Sequence, residues 1–265
     1  MNVFWRELRT YRKSVLLWSA GIVLLLVASM AKFNTLTAGG MDVNQLLDQF
    51  PATVQAVFGM KGLDITTIVG YFGILYLYVA VMLAIQAGMT GADIIDKEEQ
   101  DKTTEFLYVK PRSRARILTA KLCAALVVLV VLNIVTFATS CILAAEYVDL
   151  TTVLPELALY NAAYALMQLL FMTVGAALAA SSLRPKLAGK LVAMAVGVMY
   201  FAYVLVTMQP ALDWMGVVSP LVQMNASDIV ANGTLDGLWV CIYCVVAAVS
   251  ITACYYCYPR RDLTV

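Results

Sequence analysis

The sequence predicts an all-α membrane protein with six transmembrane helices and both termini in the cytosol. Three observations carry that reading. Hydrophobic residues make up 62% of the 265 positions and charged residues 13%, with a mean hydropathy of +0.82, far from the composition of soluble domains. Apolar stretches of about 20 residues, the length that crosses a bilayer, recur along the chain. The bases are also asymmetric. With the N-terminus inside, 16 of the 18 Lys and Arg residues fall on the inner side and only Lys32 and Lys61 outside, while the acids divide eight to nine. Lysine and arginine set orientation, and acids contribute little.

Residues 1–13 read as an amphipathic interfacial helix. Phe4, Leu8, Tyr11 and Val15 recur at helical spacing beside Trp5, and Arg6, Arg9, Arg12 and Lys13 take the other faces. Aromatics in the headgroup layer and bases toward lipid phosphate suit that position. The remainder, 14–265, reads as one transmembrane domain with spans near Ser14–Ala31, Ile68–Ala92, Ile117–Ala144, Leu157–Ser181, Ala188–Met208 and Leu238–Tyr258. The first run is too long for a signal-peptide core and lacks a small-residue cleavage site, so it is expected to be retained. The third exceeds what a bilayer needs and is expected to begin in the cytosol or at the interface.

Two outer loops are sizeable. Residues 34–67 hold an amphipathic stretch, Val43 to Phe58, broken at Pro51. Residues 209–237 hold Pro210, Pro220 and an apolar middle, Trp214 to Val222, which is expected to re-enter the membrane only where protein buries its backbone.

One segment is unlike the rest. Between Asp93 and Lys121 lie 13 of the chain's 35 charged residues, acids mainly first and bases mainly last. Such a segment belongs in water. Asp93 to Lys102 can continue the second span into the cytosol. Thr103 or Thr104 can cap a short helix over Glu105 to Val109, because a threonine oxygen satisfies free N–H groups at a helix start. Pro111 forces a turn, and Ser113 can cap the helix that leads into the third span. Phe106, Leu107 and Tyr108 then sit at the tip of an elbow, apolar residues framed by charge, as at a docking surface. An ordinary solvated loop whose bases hold lipid phosphates fits the same pattern.

Several chemistries are missing. The chain has no histidine, which removes the commonest general base and metal ligand. No GxxxxGK[ST] phosphate loop, HExxH or GxSxG motif occurs. The spans hold almost no charge, which argues against coupling to protons, although backbone oxygens can hold Na⁺. Cys241, Cys244, Cys254 and Cys257 spell CIYC and CYYC, but on one helix Cys244 and Cys254 stand about 15 Å apart. They read as packing residues rather than as one metal site.

The residues of the elbow resemble those of a known family. Glu98-Glu99-Gln-Asp-Lys-Thr103-Thr104-Glu105-Phe106-Leu107, then Pro111-Arg-Ser113-Arg114, then Ile117-Leu118 and Lys121 resemble the loop after helix two in the permease subunits of bacterial ATP-binding-cassette exporters with a separate ATPase. Thr103 stands where that family often has glycine. Ser219-Pro220 followed by Asp228-Ile-Val-Ala-Asn-Gly233, and the tail Arg260-Arg261-Asp262-Leu263, resemble its loop before helix six and its cytosolic ending.

The resemblance implies a cytosolic coupling helix between helices two and three, inserted into the ATPase. Glu98, Glu99, Thr104, Glu105, Phe106, Leu107 and Arg114 are the coupling residues it points to, with Lys121 at the inner interface. It implies two ATPase subunits, a second permease copy or paralogue, the bacterial cytoplasmic membrane, and ATP with Mg on the partner rather than any cofactor in this chain. No nucleic acid and no metal are expected. It also brings helices two and five toward the dimer axis, where Tyr76, Met82, Gln86 and Met89, with Met194, Met199, Tyr200 and Tyr203, are candidates for a substrate path. Methionine and tyrosine suit apolar, amphipathic or peptide-like cargo, although inter-helix packing explains such residues too. Gln86, Asn133 and Gln168 need partners at membrane depth. Gly88 and Gly91 read as sites of close packing or bending. The alternative function is a non-transporting immunity or sensor module that binds a cytosolic partner through the same elbow.

Overall fold

A computed structural model describes residues 3–38, 50–100, 113–181 and 187–260. Among the described residues six helices are long and apolar enough to cross a membrane. In chain order these are α1 (Val3–Ala38), α3 (Ile68–Gln100), α4 (Arg114–Ala145), α5 (Leu150–Ser181), α6 (Leu187–Met208) and α10 (Gly237–Cys257). Short helices lie between them: α2 (Ala52–Phe58), α7 (Asp213–Gly216), α8 (Pro220–Gln223) and α9 (Ala226–Asn232).

The amphipathic N-terminal stretch and the first span form one helix of 36 residues rather than two elements. No proline or glycine interrupts it before Gly21, so the backbone has no reason to break at Lys13. Ile22, Leu26, Met30 and Phe33 form its buried stripe, while Leu16, Leu17 and Leu24 face outward. The stripe closes mainly on α4. Near its end the Phe33 ring meets Tyr71 and Tyr147 at 5.0 and 5.3 Å.

At the centre is α3, the most enclosed span, which packs on α5 and α6 and also touches α4, α1 and α9. Glycine sets its approach to α5. A Cβ at Gly91 would overlap the Met172 carbonyl, and one at Gly175 would overlap the Gly88 carbonyl. The two backbones touch there, which is the close packing expected of Gly88 and Gly91.

These two helices also begin alike. Asp64-Ile-Thr-Thr precedes α3 and Asp149-Leu-Thr-Thr precedes α5. In the first, Asp64 Oδ1 accepts from the Thr66 backbone N–H (3.0 Å) and hydroxyl (2.6 Å), while the Thr67 hydroxyl donates to Asp64 O (2.7 Å). In the second, Asp149 Oδ1 accepts from the Thr151 N–H (3.0 Å) and hydroxyl (2.8 Å), and the Thr152 hydroxyl donates to Asp149 O (2.7 Å). Short polar side chains bonding their own backbone are how such helix starts are fixed. The cap places the start of α5 at Leu150, before Pro155, so the helix is longer than the expected span from Leu157.

The end of the bundle that holds both termini is termed the base, and the opposite end the crown. In the crown, α2 begins after Pro51 and ends at Gly59, whose φ of 67° is left-handed. It lies against α6, held by the Tyr200 hydroxyl donating to Val57 O (2.9 Å) and by Lys61 Nζ donating to Thr207 O (2.7 Å). The expected apolar middle of residues 209–237 divides. Pro220 and Leu221 are buried, whereas Trp214, Val217 and Val218 are exposed.

Candidate functional site

The base gathers the charged groups of three helices. Lys121, near the start of α4, is fully buried, and its ammonium donates to Ile94 O of α3 at 2.6 Å and to Ile95 O at 3.5 Å. A cation suits the carbonyl-rich end of a helix, and burial raises the strength of the bond. Asp96, also buried, lies on the same last turns of α3. Glu7 of α1 is enclosed too, pairing with Arg6 Nη2 at 2.7 Å and with Lys97 Nζ at 3.3 Å. The Lys97 ammonium lies 5.7 Å from the Tyr11 ring centre. Arg114 Nη1 donates to Pro259 O at 2.9 Å, fastening α4 to the C-terminal turn.

The stem of the charged island is therefore rigidly held. The second span continues as helix to Gln100, and the third restarts at Arg114 with Ser113 in the N-cap position, although no bond comes from the Ser113 side chain. Glu98 and Glu99 fall in the last turn of α3, and Glu99 is half-buried. The side chain of Glu98, and Thr104, Glu105, Phe106 and Leu107 entirely, lie outside the described residues.

The candidate path residues divide among three environments. Tyr76 is buried where α3 meets α5, stacked on Tyr164 with ring centres 4.9 Å apart and tilted by 36° against Tyr160 at 5.1 Å. Gln86 is buried and donates to Thr90 Oγ1 at 2.9 Å, and Tyr203 is buried as well. These three belong to the interior of the single chain. Met82 and Met89 lie instead on a half-buried stripe of α3 with Tyr78 and Ile85, at spacings of four, three and four residues; the Met82 methyl approaches Gly21 of α1, and Met89 is exposed.

Beside that stripe, α6 exposes Leu191, Met194, Val198, Phe201, Leu205 and Met208. Their spacing alternates three and four residues, as in a seam that another helix can cover. Tyr200 serves as the tether to α2. Met199 turns the other way and lines a 260 Å³ apolar cavity with Phe171, Val192, Trp239 and Tyr243.

Two features escaped the sequence reading: the tyrosines contributed by α5, and the depth at which Lys121 is buried. Tyr160 and Tyr164 stand one turn apart on one face, a spacing visible in the sequence, but nothing there says that Tyr76 stacks on them. Asn133 and Gln168, singled out as polar at membrane depth, do meet: Asn133 Nδ2 donates to Gln168 Oε1 at 2.8 Å. Cys254 is buried with its thiol 3.7 Å from Ala176 O, whereas Cys241 and Cys244 are exposed.

Six helices long and apolar enough to cross a membrane, with charged groups gathered at the base, define a multi-pass membrane protein. The family model described as ABC-2 family transporter protein matches residues 1–263. The chain belongs to the ABC-2 transporter family, which makes it a membrane-spanning transport component rather than a catalytic subunit. A comparison with curated proteins returned no match.

Proposed function

We propose that the chain is the permease of an ATP-driven exporter in a bacterial cytoplasmic membrane, with its base in the cytosol. Two copies, or one copy and a paralogue, assemble with two ATPase subunits that carry the ATP and Mg. The cargo is apolar, amphipathic or peptide-like.

The observation that carries this reading is the stitched base. Lys121 on the α3 carbonyls, Glu7 on Lys97 and Arg114 on Pro259 tie α1, α3, α4 and the C-terminal turn together around the α3–α4 connection. A push delivered to that connection is passed to several spans at once. The 16 bases that the sequence assigns to the inner side support a cytosolic position of the base. The half-buried stripe of Tyr78, Met82, Ile85 and Met89 on α3, with the exposed α6 seam, supplies adaptable side chains for a path between two copies.

The test is reconstitution with the cognate ATPase in liposomes. Glu98→Lys and Glu105→Lys are expected to reduce ATP-driven export while leaving the permease folded. Full export by both variants overturns the coupling role. A complex that binds its ATPase but moves no labelled amphipathic cargo points instead to the non-transporting module.

A further inference from the structure

The outer face of α4 carries one stripe that runs from charge to oil. Arg116, Cys123, Val127, Val130 and Ile134 are all exposed. At 3.6 residues per turn they fall within an arc of about 60°. Along the deeper part of this stripe, α4 and α5 border a groove of 290 Å³ whose walls include Leu126, Val130, Ile134 and Leu169. Every wall residue is aliphatic except Asn133 and Gln168, which are bonded to each other. Such a trough suits a hydrocarbon chain, which asks for no hydrogen bond.

The shallow end of the stripe is polar. Here α10, which leans on α5, reaches α4 through its C-terminal turn. The Thr119 hydroxyl donates to Ala115 O at 3.0 Å, so the Tyr255 hydroxyl, 2.7 Å away, donates to Thr119. Tyr256 beside it is 64% exposed. Tyrosines at the end of an apolar span mark the headgroup layer. Arg116, one turn from Thr119, forms no ion pair among the described residues. Depth agrees. Arg116 and Glu146 stand 30 residues apart, roughly 45 Å of helix, which matches a bilayer of about 40–45 Å with both headgroup layers. Arg116 therefore lies at one headgroup layer. Val130 is 14 residues further in, roughly 21 Å and so close to the midplane. That is the reach of a phospholipid from its phosphate to the end of its chain, half of the same thickness.

We propose that this stripe seats an anionic phospholipid of the base-side leaflet, with its phosphate on Arg116 and one acyl chain in the α4–α5 groove. A guanidinium holds a phosphate through paired N–H bonds. With no acid beside it, Arg116 favours a headgroup of net negative charge over a zwitterionic one. The site requires that the chain span a bilayer and does not depend on the exporter reading.

The probe is phosphatidylglycerol with a photoactivatable diazirine at its chain end, added to the full chain in phosphatidylcholine nanodiscs. Light should label α4 and α5 chiefly between Leu126 and Ile134 and around Leu169. Unlabelled phosphatidylglycerol should compete about three- to tenfold better than phosphatidylcholine of the same chains, the range of one arginine at a membrane surface. Arg116→Gln should level the two competitors, and Arg116→Lys should keep the preference. Arg260→Gln should keep it too, because that guanidinium lies 3.5 Å over the Tyr256 ring, on the outward side of α10. Val130→Phe should shift the label out of the groove, with thermal unfolding of every variant matching the parent. Equal competition in the parent, or a preference that survives Arg116→Gln, overturns the proposal. So does an equal loss with Arg260→Gln, which makes the attraction diffuse surface charge, or label spread evenly over all exposed spans, which makes the lipid solvent. Competition by inorganic phosphate as strong as by phosphatidylglycerol overturns it as well. An oxidative dimer in membranes that Cys123→Ser removes gives the stripe to a second copy and has the same effect.

Discussion

Substituting Gly91 by alanine tests how α3 and α5 are held together. The added Cβ would overlap the Met172 carbonyl oxygen and lie 2.8 Å from its carbon and 3.0 Å from its Cα. Carbon atoms rest about 3.5 to 4.0 Å apart, so the helices must separate by roughly 0.5 to 1.2 Å. The obstacle is backbone on a neighbouring helix, and no rotamer change relieves it. Overpacking of this kind costs about 1–3 kcal/mol, against a helix-propensity gain of up to ~1 kcal/mol on replacing glycine. The net expectation is a loss of up to about 2 kcal/mol.

Gly197 is the internal reference, because a Cβ there meets nothing within 4 Å and receives the same propensity gain. The assay is unfolding in one detergent or nanodisc preparation, with both variants measured beside the parent. Gly91→Ala should be less stable and Gly197→Ala equal or more stable. A Gly91→Ala protein as stable as Gly197→Ala would refute the claim that the backbones touch.

Other outcomes follow from the same geometry. Glu7→Ala leaves the Lys97 ammonium without its enclosed carboxylate partner and should cost about 1–3 kcal/mol in unfolding, because a broken, largely enclosed pair leaves an uncompensated charge. Lys121→Met removes the donor to Ile94 O but keeps most of the stem volume. It should raise hydrogen exchange in the last turns of α3 more than at the crown. Asp149 is held below the usual carboxylate range by the Thr151 backbone N–H and then by the Thr151 hydroxyl. Its charged form is thus favoured in the folded state, so the cap's contribution is complete above the ordinary carboxylate pKa and is lost as pH falls through the lowered value. Amide exchange in the first turn of α5 should therefore rise at acid pH in the parent, and Asp149→Ala should lose that pH dependence. For the proposed pairing of two copies, Val198→Cys should cross-link across the α6 seam, while Val196→Cys, which faces the chain's own interior, should not.

The six spans were legible because helical length and apolar content are properties of a segment alone. Boundaries failed where a local signal misled. The apolar run of the fourth span was placed from Leu157, but the Asp149 cap and the tolerance for proline near a helix start put the helix start at Leu150. The change of character at Lys13 suggested two elements where an unbroken backbone makes one. The paired Asp-x-Thr-Thr starts were readable as a short repeat and passed unnoticed. Facing was less legible than existence. Tyr76 and Met82, six residues apart on one helix, end in different environments, the first enclosed by α5 and the second half-buried beside Gly21 of α1. In a membrane both faces of a helix are apolar, so hydropathy cannot separate them. The need of Asn133 and Gln168 for partners followed from solvation alone. Which partner each found depended on the packing of α4 against α5.

The two bonds that tie α2 and the turn after it to α6 bear on how movement inside the membrane reaches the surface. Tyr200 holds Val57, and Lys61 holds Thr207 one helical stretch further on. Two attachment points, unlike one, transmit rotation as well as translation. If α6 tilts or turns about its axis, α2 is carried through the same angle. A fluorophore on Thr53, on the exposed side of that small helix, thus becomes a dial for a helix that is itself hidden in lipid.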